Sequence, residues 1–269
     1  MSTLATTTLR STAPSRPFAS ATVPRFAAGL AILLLWEIVA RWFAPAFVAK
    51  PSGIVAALPH VIGSAAFLNA VGITLAATAE GLIIALILGT AIGLLMGRSA
   101  MADHALRLWI NAFNAMPMIV ILPVVSLWFG YSSLARLATI IFAAIFAVII
   151  NASEGAQAVP REYLEVGRSF RSRSLRILFE IVLPASTPYM LAGLRLAAGR
   201  ALIGAIVAEF FTAIPGLGYF ILFNSRTFHH NEAFVAVIFL AGFGVAFDAL
   251  VNASTRRFLP WYRRDEKAD

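Results

Sequence analysis

Cysteine is absent from the 269 residues, which excludes disulfides, thiolate metal sites and cysteine nucleophiles at once. Charge is scarce: Asp, Glu, Lys and Arg make up 13% of the chain. Acids are the rarer sign, 13 against 21 Lys and Arg, for a net charge of +8. No Gly-rich loop closing on Lys-Ser/Thr, the pattern that cradles nucleotide phosphates, occurs anywhere. Neither a metal-ligand cluster nor a nucleophile beside a base can be picked out. The chain is therefore expected to be no enzyme on its own and to carry no cofactor. The basic balance invites a nucleic-acid reading, but no basic stretch has the interleaved aromatics that stacking requires, so no nucleic acid is expected as a partner.

What the chain has instead is apolar residues in long runs: 60% of the sequence is hydrophobic and the mean hydropathy is +0.84. A helix needs roughly 20 apolar residues to cross the hydrocarbon, and about six stretches qualify: Phe26–Ala44, Val71–Met96, Leu108–Phe129, Leu134–Asn151, Pro188–Thr212 and Ala233–Ala253. The expectation is an all-α membrane protein with about six transmembrane helices. Gly89, Gly93 and Gly97 recur every four residues in the second stretch, a spacing that lets a neighbouring backbone approach closely.

The first 25 residues contain no acid and are rich in Ser, Thr, Ala and Pro. They have too little apolar surface to offset chain entropy and are expected to form a disordered cytoplasmic tail, which their prolines favour over an organellar transit peptide. The first apolar run is too long for a signal peptide and lacks a small-residue cleavage site. Orientation follows from the cations. With the N-terminus in the cytoplasm, that side carries Arg10, Arg16, Arg25, Arg98, Arg107, Arg161, Arg168, Arg171, Arg173, Arg176, Arg256, Arg257, Arg263, Arg264 and Lys267. The other side carries Arg41, Lys50, Arg136 and Arg226. The excess predicts that both termini are cytoplasmic. The expected organisation is a tail at 1–25, a first helix and outer segment at 26–68, a transmembrane domain at 69–253 with a cytoplasmic loop at 154–184, and a second tail at 254–269.

That loop is the most charged part of the middle of the chain. Pro160 suits a first helical turn, and Val159, Tyr163, Val166 and Phe170 recur at helical spacing, forming one apolar stripe with Arg161, Glu162, Glu165 and Arg168 largely off it. A second short helix is expected from Ser172 or Ser174, both good capping residues. It would carry Leu175, Leu178, Phe179 and Val182 on one face and an Arg176–Glu180 pair four residues apart. Pro184 is expected to end it, and Thr187-Pro188 to start the next span. Physical reasoning alone leaves an amphipathic hairpin on anionic lipid equally open.

The segment resembles the cytoplasmic EAA loop of bacterial ABC importer permeases: Glu-Ala-Ala, three residues, Gly, nine residues, then Ile-x-Leu-Pro. Glu165, Val166 and Gly167 fall on the Glu-Ala-Ala, Arg171 on the glycine, and Ile181-Val182-Leu183-Pro184 on the ending. The glutamate and the ending agree; both alanines and the glycine depart. If the glycine position needs a left-handed backbone, arginine there costs about 1–2 kcal/mol. FNAMPMIVILPVVSLWFG (113–130) resembles the third-span signature of the same family. LPASTPYMLAGLRLAAGRALIGAIVAEFF (183–211), GLGYFI (216–221) and KPSGIVAAL (50–58) resemble its nitrate/sulfonate/taurine branch.

The resemblance implies a MetI-like type I ABC importer fold, with Glu165, Val166, Gly167, Arg168, Phe170, Arg171, Ile181, Leu183 and Pro184 in a coupling helix that seats on a separate ATPase. It further implies a second copy of this chain, a periplasmic solute-binding protein, ATP and magnesium held by the ATPase partner, and residence in the bacterial inner membrane. The implied cargo is a small anion such as an alkanesulfonate, taurine or nitrate. The alternative is a gradient-driven secondary transporter or channel, working without an ATPase through Glu80, Glu209 or Asp248; the EAA-like spacing counts against it.

Polar groups at membrane depth are costly and need a reason. Arg195, Arg200 and Glu209 lie in the fifth span, the arginines fitting an anion and Glu209 either lining the path or holding a structural hydrogen bond. Asp248 and Glu80 are expected to pair structurally, while Glu37 has no obvious partner. Pro117 and Pro123 interrupt the third span. Because broken helices are where transporters often bind cargo, Asn114, Met116 and Pro117 are expected to line the path. His229 and His230 lack a third ligand and read as surface residues, so no metal site is expected.

Overall fold

The structure, a computed structural model, describes residues 22–43 and 48–258. Of the two expected tails, residues 1–21 and 259–269 lie outside the described part. No strand occurs among the described residues. The described residues divide into two compact units, one up to Gly53 and one from Ile54 onward.

In the first unit, Thr22–Phe43 forms α1, and Pro51 begins α2, which continues to Gly63. Glu37 finds its partners across the connection between them. It accepts hydrogen bonds from Arg41 Nε at 2.5 Å, Ser52 Oγ at 2.7 Å and the Ser52 N–H at 3.0 Å. The i,i+4 spacing of Glu37 and Arg41 is a local helical signal; the serine fifteen residues on is not.

The second unit holds the bundle. Its remaining helices are Ala65–Arg98 (α3), Ala100–Ala115 (α4), Met118–Phe129 (α5), Ser133–Gln157 (α6), Arg161–Ser169 (α7), Ser174–Ile177 (α8), Leu183–Thr212 (α9), Leu217–Arg226 (α10) and His230–Phe258 (α11). Among the described residues, five helical stretches, α1 and four of the second unit, are long and apolar enough to cross a membrane, and α4 with α5, bent by 103°, makes six if the pair is one span. Serines set several boundaries. Ser64 Oγ accepts from the Phe67 N–H at 3.2 Å to start α3. Ser99 closes α3 through its own N–H to Leu95 O and opens α4 by accepting from the Ala102 N–H. Each supplies a partner for a helix-end group that has none within the helix.

The expected break in the third span occurs at Pro117 alone. Met116, pushed out of the helical region by the following proline, has φ −69° and ψ 129°, and Pro117 is likewise extended. Pro123 does not break the chain; it sits within α5.

A second difference concerns the loop's exit. Pro184 does not end the helix begun at Ser174. The chain runs from α8 through one π-helical turn, Leu178–Val182, into α9, with Pro184 in its first turn and Pro188 inside it. A proline normally clashes with the carbonyl four residues back and lacks the N–H that would bond to it. The wider turn, closed by the Leu183 N–H on Leu178 O, takes up that misfit. Ser186 and Thr187 hydroxyls donate to Val182 O and Leu183 O nearby. The helix starts at Ser174, as expected, but its cap position is Arg173, which makes no side-chain cap hydrogen bond, rather than a serine.

Three helices form the centre. On α3, a Cβ added at Gly81, Gly89, Gly93 or Gly97 would strike Ile140, Val148, Ala152 or Ala156 of α6, a constant offset of 59 residues. The two helices are therefore parallel, meeting along rows spaced by four that interdigitate. The four-residue glycine spacing is thus what brings the backbones together. On the other side of α6, Gly155 meets Ser186 and Tyr189, Gly193 meets Asn151, and Gly204 meets Ala143, the falling register of an antiparallel pair. Ala85, Ala144, Ala197, Ala201 and Ala205 are fully buried in the resulting core. Phe67 of α3 closes one end, packed edge-on against Phe220 and Phe239 of α10 and α11.

Candidate functional site

Two regions carry the residues singled out from the sequence. In the loop, α7 leans on α8 and the π-helical turn. Leu164 and Gly167 face inward, with Leu94, Ala156, Val159 and Val182 in one buried cluster. A Cβ at Gly167 would sit 2.9 Å from Ile181 Cδ1, so the glycine that replaces alanine lets α7 and the Ile-x-Leu-Pro ending meet closely. The stripe of Tyr163, Val166 and Phe170 turns the other way: the three are 55% to 80% exposed. An open groove of about 470 Å³ lies there, lined by Tyr163, Val166, Glu180, Ile181, Pro184 and Ala185. Glu165, Arg168 and Arg171 are exposed and Leu183 is partly buried. The expected pair forms, with Arg176 Nε donating to Glu180 at 2.8 Å.

Arg171 has φ +53°, the left-handed conformation that glycine takes without strain. Its N–H donates to Arg168 O at 2.8 Å, and the Ser172 N–H donates to Gly167 O at 3.2 Å. This is the paired hydrogen bonding of a Schellman helix end. The turn keeps the geometry expected of a glycine while carrying an arginine.

In the bundle, the structure brings Asn114, Met116 and Arg200 together and separates them from Arg195 and Glu209. Arg200 Nη1 donates to Asn114 Oδ1 at 2.5 Å. They line a cavity of about 190 Å³ beside the 103° bend, with Met116, Met118 and the rings of Phe113, Phe142 and Phe146. Pro117 is exposed at the bend. Among the described residues Arg200 has no carboxylate partner; the group it meets, Asn114, is neutral, and the rest of the cavity wall is largely apolar.

Arg195 is different. Its Nε lies 2.9 Å from Asp248 Oδ1, its Nη2 donates to Asn252, and Asn252 donates back to Asp248 at 2.9 Å. This triad of α9 and α11 gives Asp248 the structural pairing expected of it. Glu80 has none: it is exposed on α3 with no partner among the described residues, because its face of the helix turns away from α6 and α9.

Glu209 is fully buried. Thr74 Oγ1 lies 2.9 and 3.0 Å from its two oxygens, the Gly218 N–H donates at 2.8 Å, and Arg136 Nη1 stands at 3.5 Å. The Leu217 N–H donates to Thr74 Oγ1 at 2.7 Å, so one knot ties α3, α6, α9 and α10. A side chain at Gly216 or Gly218 would run into the carboxylate, which explains the spacing of the GLG motif. Thr74 and Arg136 were not legible as its partners: the threonine lies 135 residues away, and Arg136 counts as a loop cation on the sequence. Among the described residues no group of three or more His, Asp or Glu is placed to hold a metal. His229 Nδ1 lies 3.1 Å from Thr227 Oγ1.

The profile of the binding-protein-dependent transport system inner membrane component matches residues 81–264, more than half of the chain. The chain therefore belongs to this family and is a permease component of an ABC importer. It is 28% identical over 236 residues to the formylaminopyrimidine transport permease ThiX of Halalkalibacterium halodurans, covering 87% of this chain and 94% of that one. It is 27% identical to the putative aliphatic sulfonates transport permease SsuC of Bacillus subtilis, covering 86% and 84%. With the nitrate import permease NrtB of Leptolyngbya laminosa it shares 31% identity, covering 68% and 65%. The fold matches the inward-facing MetNI methionine ABC transporter with a TM-score of 0.57 at 17% identity, over 69% of this chain and 94% of that one. An amino acid ABC transporter solved with histidines gives 0.59 at 19% identity, over 72% and 94%. The architecture is thus that of MetI-type ABC importer permeases.

Proposed function

We propose that two copies of this chain form a pathway for a small anion, an alkanesulfonate or taurine being the preferred cargo, and that Arg200 supplies the charge that admits it. The carrying observation is the uncompensated guanidinium: Arg195 is matched by Asp248 and Arg136 by Glu209, whereas Arg200 meets only a neutral amide at a break in a helix. A cation in an apolar wall is costly unless paired, and a passing anion supplies the missing partner. Among the relatives, those named for sulfonates and nitrate carry anions, and the formylaminopyrimidine permease does not; the state of Arg200 favours the former.

The exposed stripe of Tyr163, Val166 and Phe170, with the groove beside it, is the docking surface for an ATPase that holds ATP and magnesium, and a periplasmic binding protein delivers the solute. Both termini lie in the cytoplasm of a bacterial cell, which puts α7 and α8 on the ATPase side of the inner membrane. Glu209 acts as a structural clasp at the other end of α9.

The test has two arms. Gentle-detergent purification of the wild-type chain is expected to bring along an ATPase bearing a phosphate loop and a solute-binding protein, and Glu165→Arg is expected to lose the ATPase. In vesicles reconstituted with those partners, Arg200→Gln is expected to reduce taurine uptake at least tenfold, with Arg200→Lys intermediate. A chain that purifies alone overturns the assembly, and full uptake by Arg200→Gln overturns the role of the arginine.

A further inference from the structure

Between α3 and the loop lies a groove of about 810 Å³. Its lining combines two cations, Arg98 at the C-terminal end of α3 and Arg168 of α7, with apolar side chains: Ile87 and Leu95 of α3, and Leu175 and Phe179 beside the loop. No Asp or Glu lines it, and neither arginine has an acidic partner among the described residues. Leu175 and Phe179 are 69% and 63% exposed, large apolar groups held open beside two free cations.

Length is the second observation. From Arg98 to Ile87 is eleven residues of α3, about 16 Å at 1.5 Å per residue. Half of a bilayer's hydrocarbon is about 15 Å. With Arg98 at the cytoplasmic surface, the groove reaches from the headgroup level to near the midplane, the depth of one leaflet. Two cations at the surface end and an apolar wall below them match a molecule with an anionic head and a hydrocarbon tail. Basic pockets between helices on the cytoplasmic side are suited to anionic headgroups.

We infer that this groove holds an anionic phospholipid of the cytoplasmic leaflet, its phosphate shared by Arg98 and Arg168 and an acyl chain laid along Ile87 and Leu95. The inference rests on the orientation proposed above. Arg98 belongs to α3 and Arg168 to α7, so one phosphate bridges the membrane bundle and the ATPase-docking loop. The lipid then acts as a cross-tie between them.

The full chain, purified with whatever ATPase accompanies it, is exchanged into detergent containing equal phosphatidylglycerol and phosphatidylcholine. Lipids retained per chain are then counted by native mass spectrometry. The wild type is expected to retain phosphatidylglycerol in preference. Arg98→Gln with Arg168→Gln is expected to weaken that retention about thirtyfold, the effect of two cations near a membrane surface. The Arg98→Lys with Arg168→Lys variant is expected to retain it. So is Arg161→Gln, which removes a charge of the same helix outside the groove.

Equal retention of both lipids by the wild type overturns the inference whether or not the variants fold, and so does undiminished retention by the double Gln variant. Undiminished lipid with loss of the ATPase, or of self-association, assigns the groove to that protein partner instead. An ATPase absent from the wild-type preparation counts against the proposed assembly, while the lipid comparison still decides the groove.

Discussion

Replacing Arg171 by glycine is expected to tighten the end of α7. The arginine sits at φ +53°, where a residue bearing a Cβ is disfavoured by about 1–2 kcal/mol. Glycine removes that cost but gains freedom in the opened state, worth about 0.5–1 kcal/mol against it. The balance is about 0.5–1 kcal/mol in favour of the closed helix end, a twofold to fivefold smaller opening constant. Hydrogen exchange reads it at two amides: Arg171, bonded to Arg168 O, and Ser172, bonded to Gly167 O. Both are expected to exchange twofold to fivefold more slowly in Arg171→Gly. The control is Arg171→Ala, which removes the charge among Arg168, Arg173 and Arg176 but keeps the Cβ, and it is expected to gain nothing. If alanine slows exchange as much as glycine, repulsion among the arginines is the cause and the strain argument fails. If glycine leaves the amides unchanged or faster, the turn is not left-handed in the working protein.

Three further outcomes follow from the packing. Gly93→Ala would place a Cβ 2.6 Å from both Ala152 Cβ and Ile149 O. It is expected to destabilise the detergent-solubilised chain by about 1–3 kcal/mol, while Gly72→Ala, with open space around it, leaves the melting temperature unchanged or higher. Glu209→Ala strands the Gly218 N–H and Arg136 and is expected to cost about 3–5 kcal/mol, read as lost thermal stability. Glu209→Gln keeps an acceptor and is expected to lose less and to transport normally once folded; abolished uptake by a stably folded Glu209→Gln would restore a transport role. A double-mutant cycle on Arg195→Ala and Asp248→Ala is expected to show coupling of about 0.5 kcal/mol or more, and additive losses would mean that the pair is incidental.

The features legible in the sequence are those with local causes. Span positions follow from apolar length, and the bend at Pro117 from what proline does to the residue before it. The left-handed conformation at Arg171 was foreshadowed by its place in the loop pattern. The Arg176–Glu180 pair needed only helical spacing. Where the reading failed, the deciding partner was remote or the backbone had an uncommon option. Pro184 reads as a terminator only if the turn before it is a regular α-turn, and the π-helical turn removes the clash. The stripe of Tyr163, Val166 and Phe170 was visible, yet periodicity alone does not say which face turns inward. Leu164 and Gly167 do, because Ile177, Ile181 and Val182 fold back onto them. In the bundle, nothing local links Glu209 to Thr74 or Arg200 to Asn114, 86 residues apart. Such pairs appear only once the chain is folded.

The continuity of the helix from Ser174 to Thr212 has a mechanical consequence. Its 39 residues make a rod of about 58 Å, with the α7 loop at its foot, Arg200 about two thirds of the way up and Glu209 near its tip. A terminator at Pro184 would have uncoupled foot from shaft. Without one, a tilt of about 10° imposed at the foot sweeps the tip through about 10 Å and shifts Arg200 relative to Asn114. The length of this lever, rather than the strength of any contact, then sets how far a movement at the foot displaces the tip.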